Sequence, residues 1–300
     1  MKKLIIYQVD SFTKEKFKGN PAGVVLNAGG LSDNQMQSIA RELNNSETAF
    51  LFPPDDNSCD GMIRYFTPKM EVPTCGHATI GAMYAMAMEN NLESCTLRYK
   101  TRIGVLPFEI IKRNNDYSVI MTQGKFELGN PLEHEFVKRL TGALRISDGD
   151  LMPACPVQIA STGHSKVMIC IRSKELLNNL EPAYSELAEL SRQISCNGFF
   201  VFTLDSPDKK ILTHGRMFAP AIGINEDPVT GNANGPLGGY LIQNRIVTPD
   251  AELFEFTGRQ GEAIGRTGDI HVSVKTKDGI PVLTRIGGEA VAVFRTEIVL

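Results

Sequence analysis

Cys75-Gly76-His77-Ala78-Thr79-Ile80-Gly81-Ala82-Met83-Tyr84-Ala85-Met86-Ala87-Met88 is the stretch around which the chain is organised. It is apolar on every side for about three turns, with polar residues only at its front. A surface helix shows one apolar stripe, whereas a helix apolar all round is enclosed by other structure. Its N-terminus carries unpaired backbone N–H groups and the positive end of the helix dipole, which suit a carboxylate or phosphate. On this stretch alone, a core helix starting at a glycine-containing turn is the favoured reading.

At 300 residues the chain suits two domains of roughly 150. Hydrophobic content of 42% with 22% charged residues is that of an ordinary soluble globular protein. A net charge of −3 leaves no electrostatic footprint for nucleic acid or an anionic membrane, so neither is expected as a partner. The six cysteines form no C-x-x-C pair, which argues for reduced thiols rather than zinc or disulfides. Gln8 and Asp10 cut short the apolar run that starts at Leu4, and no run reaches a membrane span of roughly 20 residues. A cytoplasmic protein is expected.

Residues 4–9, 24–26, 48–52, 62–66, 96–99, 104–111 and 117–122 read as strands. Ser32 and Gln35 form a capping-box pattern ahead of a helix striped by Met36, Ile39, Ala40 and Leu43. Residues 123–131, with Gly124, Gly129, Asn130 and Pro131, read as a linker between a first half (1–124) and a second (125–288). In the second half, 136–144, 186–194 and 232–243 read as helices. Residues 157–160, 166–171, 199–204, 254–257, 270–275 and 282–286 read as strands. Gly29-Gly30 and Gly287-Gly288 read as turns, and 290–300 as a β-rich tail.

An internal repeat is the most informative feature. Arg64-x-Phe66-x-Pro68 recurs 152 residues later as Arg216-x-Phe218-x-Pro220. Glu71-x-Pro73-x-x-Gly76-x-Ala78 recurs 155 residues later as Glu226-x-Pro228-x-x-Gly231-x-Ala233. Order and spacing match with one three-residue insertion, as expected of a duplication. Two like halves would let Gly76-His77 and Gly231-Asn232 face one cleft, a good pocket for a small carboxylate. The copies differ where chemistry is needed. Glu47 precedes a first-half strand, while Ser195-Cys196-Asn197-Gly198 has no acid. Cys75 corresponds to Thr230, His77 to Asn232, and Val72 to Asp227.

Glu47, in a Ser-Glu-Thr turn ahead of an apolar strand, is a candidate proton carrier whose partial shielding would raise its pKa. The competing reading is a solvated turn glutamate. His77 is either a satisfied core histidine or a site imidazole that binds substrate or shuttles a proton. Asp227 either initiates an Asp-Pro turn or lines the site. Cys75 invites a nucleophile reading, but Thr230 in its place in the second copy removes a matched thiol pair, which favours a structural thiol. The five histidines show no metal-binding spacing, and no Gly-rich nucleotide motif occurs, so neither metal nor organic cofactor is expected.

Asn20-Pro21-Ala22-Gly23-Val24-Val25, Ser46-Glu47-Thr48-Ala49-Phe50, Cys75-Gly76-His77-Ala78-Thr79 and Glu226-Asp227-Pro228-Val229-Thr230-Gly231 together resemble the PhzF family of phenazine-biosynthesis isomerases and their relatives. The likeness spans essentially the whole chain. Gly163-His164-Ser165-Lys166-Val167-Met168 and 215–236 look closest to an uncharacterised bacterial branch. The resemblance implies an α+β diaminopimelate-epimerase-like fold. Two pseudo-symmetric halves would each wrap a curved mixed sheet around a central apolar helix, and the C-terminal strand (289–300) would return to the first. It also implies a homodimer and cofactor-free proton transfer by Glu47, with His77 and Asp227 as catalytic partners. Gly76, Gly231, Asn232, Cys75, Thr230 and Asn20 would then bind substrate. Asn232 stands where the phenazine enzyme has Ser, and Ala78 where it has Pro, which argues against the phenazine precursor as substrate. Epimerase relatives use two cysteines, and Thr230 replaces one. The expected function is an isomerase acting on a small carboxylate-bearing metabolite. The alternatives are a non-catalytic metabolite-binding protein, a racemase or epimerase, and thiol catalysis at Cys75.

Overall fold

In the computed structural model, which describes residues 2–300, the stretch after Cys75 forms a 14-residue helix with ten residues buried. The chain divides into two units: residues up to Thr122 with Gly287–Leu300, and Gln123–Ile286. In the first unit the order is β1 (Lys3–Ser11), β2 (Asn20–Val25), α1 (Asp33–Leu43), β3 (Thr48–Phe52), β4 (Gly61–Phe66) and β5 (Glu71–Val72). Then come α2 (Gly76–Glu89), β6 (Cys95–Thr101), β7 (Gly104–Arg113) and β8 (Asp116–Thr122). The second unit begins with β9 (Glu127–Pro131), α3 (His134–Leu144), β10 (Gln158–Ser161), β11 (Lys166–Cys170), α4 (Lys174–Asn178) and α5 (Tyr184–Gln193). It continues with β12 (Phe199–Thr203), β13 (Thr213–Ala219), β14 (Ile224–Asp227), α6 (Gly231–Gln243), β15 (Leu253–Gln260) and β16 (Gly268–Lys277). The last strand, β17 (Ile280–Val299), starts in the second unit and ends in the first.

In the first unit β1 pairs antiparallel with β2, β2 runs parallel to β3, and β3 pairs antiparallel with β4. β4 runs parallel to β6, which continues as the meander β6–β7–β8. β17 pairs with both β8 and β1 and so closes the sheet into a barrel, removing the open edges those strands would present. α2 packs against β1, β2, β3, β7 and β8. At Gly81 a Cβ would lie 3.1 Å from Ser11 Oγ, so β1 passes close to the helix. α1 starts from the Ser32/Gln35 capping box and buries Met36, Ile39 and Ala40 against Leu4, Ile6, Val25, Phe50 and Phe66.

The second unit holds β9–β10–β11 antiparallel, β11–β12 parallel and β12–β13 antiparallel. β13 pairs antiparallel with β14 and parallel with β15, which pairs antiparallel with β16. α6 is buried against β10, β11, β15 and β16 although it carries four glycines besides Pro236, poor intrinsic helix formers. Close packing explains the composition: a Cβ at Gly238 would lie 2.6 Å from Val274, and one at Gly239 2.5 Å from the Phe126 ring. On the outer side, Leu140, Ala143, Leu187 and Leu190 of α3 and α5 pack with Val167, Ile169, Val201 and Phe218.

The hairpin before each buried helix carries the same side-chain arrangement. Arg64 grips Glu71 with Nε at 2.8 Å and Nη2 at 2.7 Å, and its guanidinium lies 5.2 Å from the Phe66 ring centroid. Arg216 grips Glu226 at 3.0 and 2.7 Å and lies 5.0 Å from the Phe218 centroid.

Two expectations are corrected. Residues 123–131 are not a free linker, because 127–131 form β9 and pair with β10. Gly287-Gly288 is not a turn but lies inside the 20-residue β17. A Cβ at Gly287 would sit 2.9 Å from Ile120 and one at Gly288 2.5 Å from the Phe12 ring, so glycine serves close packing there.

A polar cluster in the second unit sets its acid sensitivity. His214 Nδ1 lies 2.6 Å from Glu262, whose other oxygen is 3.0 Å from Lys174 Nζ. Ser206 Oγ stands 3.0 Å from His214 Nε2 and donates to the Asp208 carbonyl. Burial alone would raise the Glu262 carboxyl, but His214 and Lys174 outweigh it and bring it to about 2 from 4.5. A lowered carboxyl stabilises the fold above its unfolded value, and that stability is lost as pH falls from 4.5 towards 2. The loss is expected to be roughly 2–3 kcal/mol in this window. Urea midpoints at pH 7, 4 and 3 check it: Glu262→Gln should lack this part of the decline, and parallel curves would refute the assignment.

Candidate active site

The first-unit candidates converge at the front of α2. Cys75 is its N-cap, Gly76 its first residue and His77 its second, and the Cys75 side chain makes no cap hydrogen bond. The N–H groups of this turn are therefore not closed off by the side chain of their cap residue, unlike those of α1. Glu47 lies between α1 and β3, and its carbonyl accepts from the Gly23 N–H at 3.3 Å. Its carboxylate stands 3.4 Å from His77 Nε2, with side-chain exposures of 15% for Glu47 and 8% for His77. Ser46 Oγ lies 3.2 Å from the same nitrogen, and Cys75 Sγ 3.4 Å from His77 Nδ1. The imidazole thus bridges a thiol on one side and a carboxylate and hydroxyl on the other. Either ring nitrogen can carry the proton, so the ring can donate to one side and accept from the other.

Asn20 is fully buried at the start of β2, in register with Ser11, whose hydroxyl donates to the His77 carbonyl at 2.8 Å. Thr79 Oγ1 donates to the Cys75 carbonyl at 2.6 Å and meets the Tyr65 hydroxyl at 2.6 Å. These bonds fix the first turn from inside the barrel.

Glu47, Cys75 and His77 also bring one nitrogen, one sulfur and one oxygen donor within 4.8 Å of one another. That donor set suits a borderline ion such as Zn²⁺. Spacing rules that look for paired histidines could not find it, because it joins a loop to a helix start.

In the second unit Asp227 ends β14, and Thr230 caps α6. The Thr230 hydroxyl donates to the Asp227 carboxylate instead of capping the helix. Gln260 locks the corner: its amide donates to the Asp227 carbonyl at 2.7 Å, and its oxygen accepts from the Thr230 N–H and Asn234, both at 3.1 Å. Gln123 donates to the Gly231 carbonyl at 3.0 Å and reaches Asn232 Oδ1 at 3.4 Å, while Thr162 donates to its oxygen at 2.8 Å. A Cβ at Gly235 would collide with the Gln123 side chain at 1.7 Å. Lys166, the first residue of β11, is only 7% exposed. Burial pushes its ammonium below the ordinary lysine range, with Cys196 and Asp227 acting in the opposite sense.

The sequence candidates therefore fall into two groups: Glu47, Cys75, Gly76, His77 and Asn20 in the first unit, Asp227, Thr230, Gly231 and Asn232 in the second. Sequence reasoning missed Ser46 as a contact of His77, the two glutamines that pin α6, and Lys166. Only the burial of Lys166 had a signal in the chain: a lysine opening an otherwise apolar strand.

A family model described as phenazine biosynthesis-like protein matches residues 9–296. An uncharacterized isomerase of Clostridium acetobutylicum is 56% identical over 300 residues, covering 100% of this chain and 99% of its own. The uncharacterized isomerase YddE of Escherichia coli K12 is 46% identical over 292 residues, 97% of each chain. Among solved structures, a phenazine biosynthesis protein of the PhzF family from Bacillus anthracis shares 29% identity with a TM-score of 0.91 over 100% of both chains. A hydroxyproline epimerase from Agrobacterium vitis shares the fold at 13% identity, with a TM-score of 0.64 over 99% of this chain and 93% of its own. Both the sequence relatives and the solved structures lead to one conclusion: the chain belongs to the PhzF family of phenazine biosynthesis-like proteins.

Proposed function

We propose that the protein is an isomerase that moves a proton on a small carboxylate-bearing metabolite without metal or organic cofactor, Glu47 acting as acid and base. The observation that carries this reading is the Glu47 carboxylate, partly exposed and 3.4 Å from His77 at the uncapped front of α2. Removing a proton next to an unsaturated carboxylate builds negative charge, which N–H groups of Gly76 and its neighbours would stabilise. One carboxylate returns the proton to another carbon on the same face. In this reading Asn20 and Cys75 of the first unit, and Asp227, Thr230, Gly231 and Asn232 of the second, keep the roles that the family resemblance implies. Two pseudo-symmetric halves from a duplication are supported by the matching Arg–Glu–Phe arrangement in the two hairpins. The Thr230 hydroxyl, committed to Asp227, is no substitute for a second catalytic thiol, which disfavours two-base epimerisation. A homodimer working in the cytoplasm completes the proposal. Among the described residues no helix is long and apolar enough to cross a membrane.

The test is solvent isotope uptake. Small carboxylates that co-purify are identified by mass spectrometry and returned to the enzyme in heavy water. An isomerised product is expected, with deuterium at carbon to the extent that the Glu47 proton exchanges with solvent before it is returned. Ligands that bind but are neither isomerised nor deuterated would make the protein a metabolite binder instead.

A further inference from the structure

Gln8 is a polar residue in an apolar strand, set between the buried Tyr7 and Val9. Side chains alternate faces along a strand, so Gln8 shares a face with Leu4 and Ile6, which pack against α1. Strand pairing carries that face across the sheet. Ile6 lies opposite Val25 and Gln8 opposite Gly23, and β2 in turn sets Val25 beside Phe50 and Gly23 beside Thr48. α1 covers the row of Ile6, Val25 and Phe50. The row of Gln8, Gly23 and Thr48 comes where α1 ends. Leu43, the last residue of α1, closes over it: a Cβ at Gly23 would lie 2.8 Å from Leu43 Cδ1 and 2.7 Å from Thr48 Oγ1.

There the chain turns towards His77. Asn44 caps α1 in the left-handed region at φ 51°, its N–H bonded to the Ala40 carbonyl at 3.1 Å. Asn45, Ser46 and Glu47 belong to no helix or strand. Yet they bring the Ser46 hydroxyl and the Glu47 carboxylate to the same nitrogen of His77, at 3.2 and 3.4 Å. The far end of the turn is held from β2, where Gly23 N–H donates to the Glu47 carbonyl at 3.3 Å, a long bond. The near end is held from β1. Gln8 Nε2 donates to Asn45 Oδ1, and Asn45 Nδ2 donates to Gln8 Oε1, both at 2.8 Å. Asn45 is only 9% exposed, so its amide needs partners within the protein. Each amide offers a donor and an acceptor side by side, so the reciprocal pair fixes orientation as well as distance.

We infer that Gln8 is a positioning residue for Glu47, acting through Asn45 to hold the turn that carries the carboxylate to His77. The inference rests on the proposed function for what Glu47 does there, and it adds what keeps the group in place. Every residue involved belongs to the first unit. Without the Gln8 amide the turn keeps the α1 cap behind it and the Gly23 bond ahead of it, so the fold survives while Ser46 and Glu47 gain freedom. A reacting group displaced by about 1 Å can lose roughly a hundredfold in rate, so this small freedom matters to catalysis.

The experiment uses the full chain with ring-¹⁵N histidine and no ligand, so that it does not wait on the substrate. Of the five histidines, His77 is the one whose ring resonances are missing from His77→Gln. Glu47→Gln gives the position of the Nε2 resonance without the carboxylate. Gln8→Leu should move that resonance at least halfway to the same position. Gln37→Leu removes a hydrogen bond of the same kind, from α1 to the Thr67 carbonyl at 2.8 Å, and should leave His77 unmoved. The exchanged pair, Gln8→Asn with Asn45→Gln, keeps both amides and their combined length and should restore the wild-type position. Three results overturn the inference: a His77 ring unmoved in Gln8→Leu, equal movement in Gln37→Leu, or an exchanged pair that leaves the ring where Gln8→Leu put it. Turnover is the second reading. The kcat of Gln8→Leu should fall roughly tenfold to a hundredfold with KM within a few-fold, and an unchanged kcat beside an inactive Glu47→Gln would overturn the inference as well. Full turnover in Glu47→Gln would refute acid/base catalysis, while the ring resonances would still decide whether Gln8 places the carboxylate.

Discussion

Glu47→Gln is expected to lower turnover by roughly 10²–10⁴-fold, the usual contribution of a positioned general acid/base. The change keeps shape and size but removes the carboxylate that faces His77 at 3.4 Å. Because the side chain is partly exposed and no strand register depends on it, the fold should hold, and KM should move by only a few-fold. Steady-state kinetics, with the melting temperature as control, checks this. Cys75→Ser is the companion variant. Cys75 Sγ touches Nδ1 of His77, the ring nitrogen away from Glu47, so the variant should retain most activity. An inactive Cys75→Ser beside an active Glu47→Gln would transfer the chemistry to the thiol.

Glu226→Gln is expected to cost roughly 3–5 kcal/mol of stability, the cost of breaking a buried ion pair from one side. Arg216 and Glu226 are both only 7% exposed at the side chain. Arg216 is also tied to the Leu177 and Leu180 carbonyls at 3.0 and 2.9 Å, so it cannot swing out to water once Glu226 is gone. The matching change in the first unit, Glu71→Gln, should cost about 1 kcal/mol. There Arg64 also binds Asp33 at 2.8 Å and is 27% exposed, so its charge keeps a second partner and access to solvent. Urea denaturation of both variants reads the difference, and equal losses would refute the argument from burial.

Both predictions begin in the repeat, and the repeat shows what could be read in advance. The Arg-x-Phe-x-Pro and Glu-x-Pro-x-x-Gly spacings are local, so the hairpins and the two buried helices could be found from the chain. The α1 start at Ser32 was legible for the same reason: its capping box closes within four residues. Gly287-Gly288 shows the opposite. Glycine permits a turn and also permits a neighbour to come close, and only the presence of Ile120 and Phe12 decides between them. The 123–131 segment was misread because a strand's partner, here β10, lies about thirty residues away.

By itself the sequence determined the family, the α+β class, the apolar bodies of α2 and α6, and the candidates Glu47, His77 and Asp227. Those properties follow from residue type, spacing and short-range hydrogen bonding. The tertiary structure alone decided that β17 closes the first unit's barrel, that Ser46 and Cys75 meet opposite nitrogens of His77, that Gln123 and Gln260 pin the start of α6, and that Lys166 is buried with one hydrogen bond. Each of these depends on which distant segments share a neighbourhood, and burial and pairing are properties of that neighbourhood rather than of the residue.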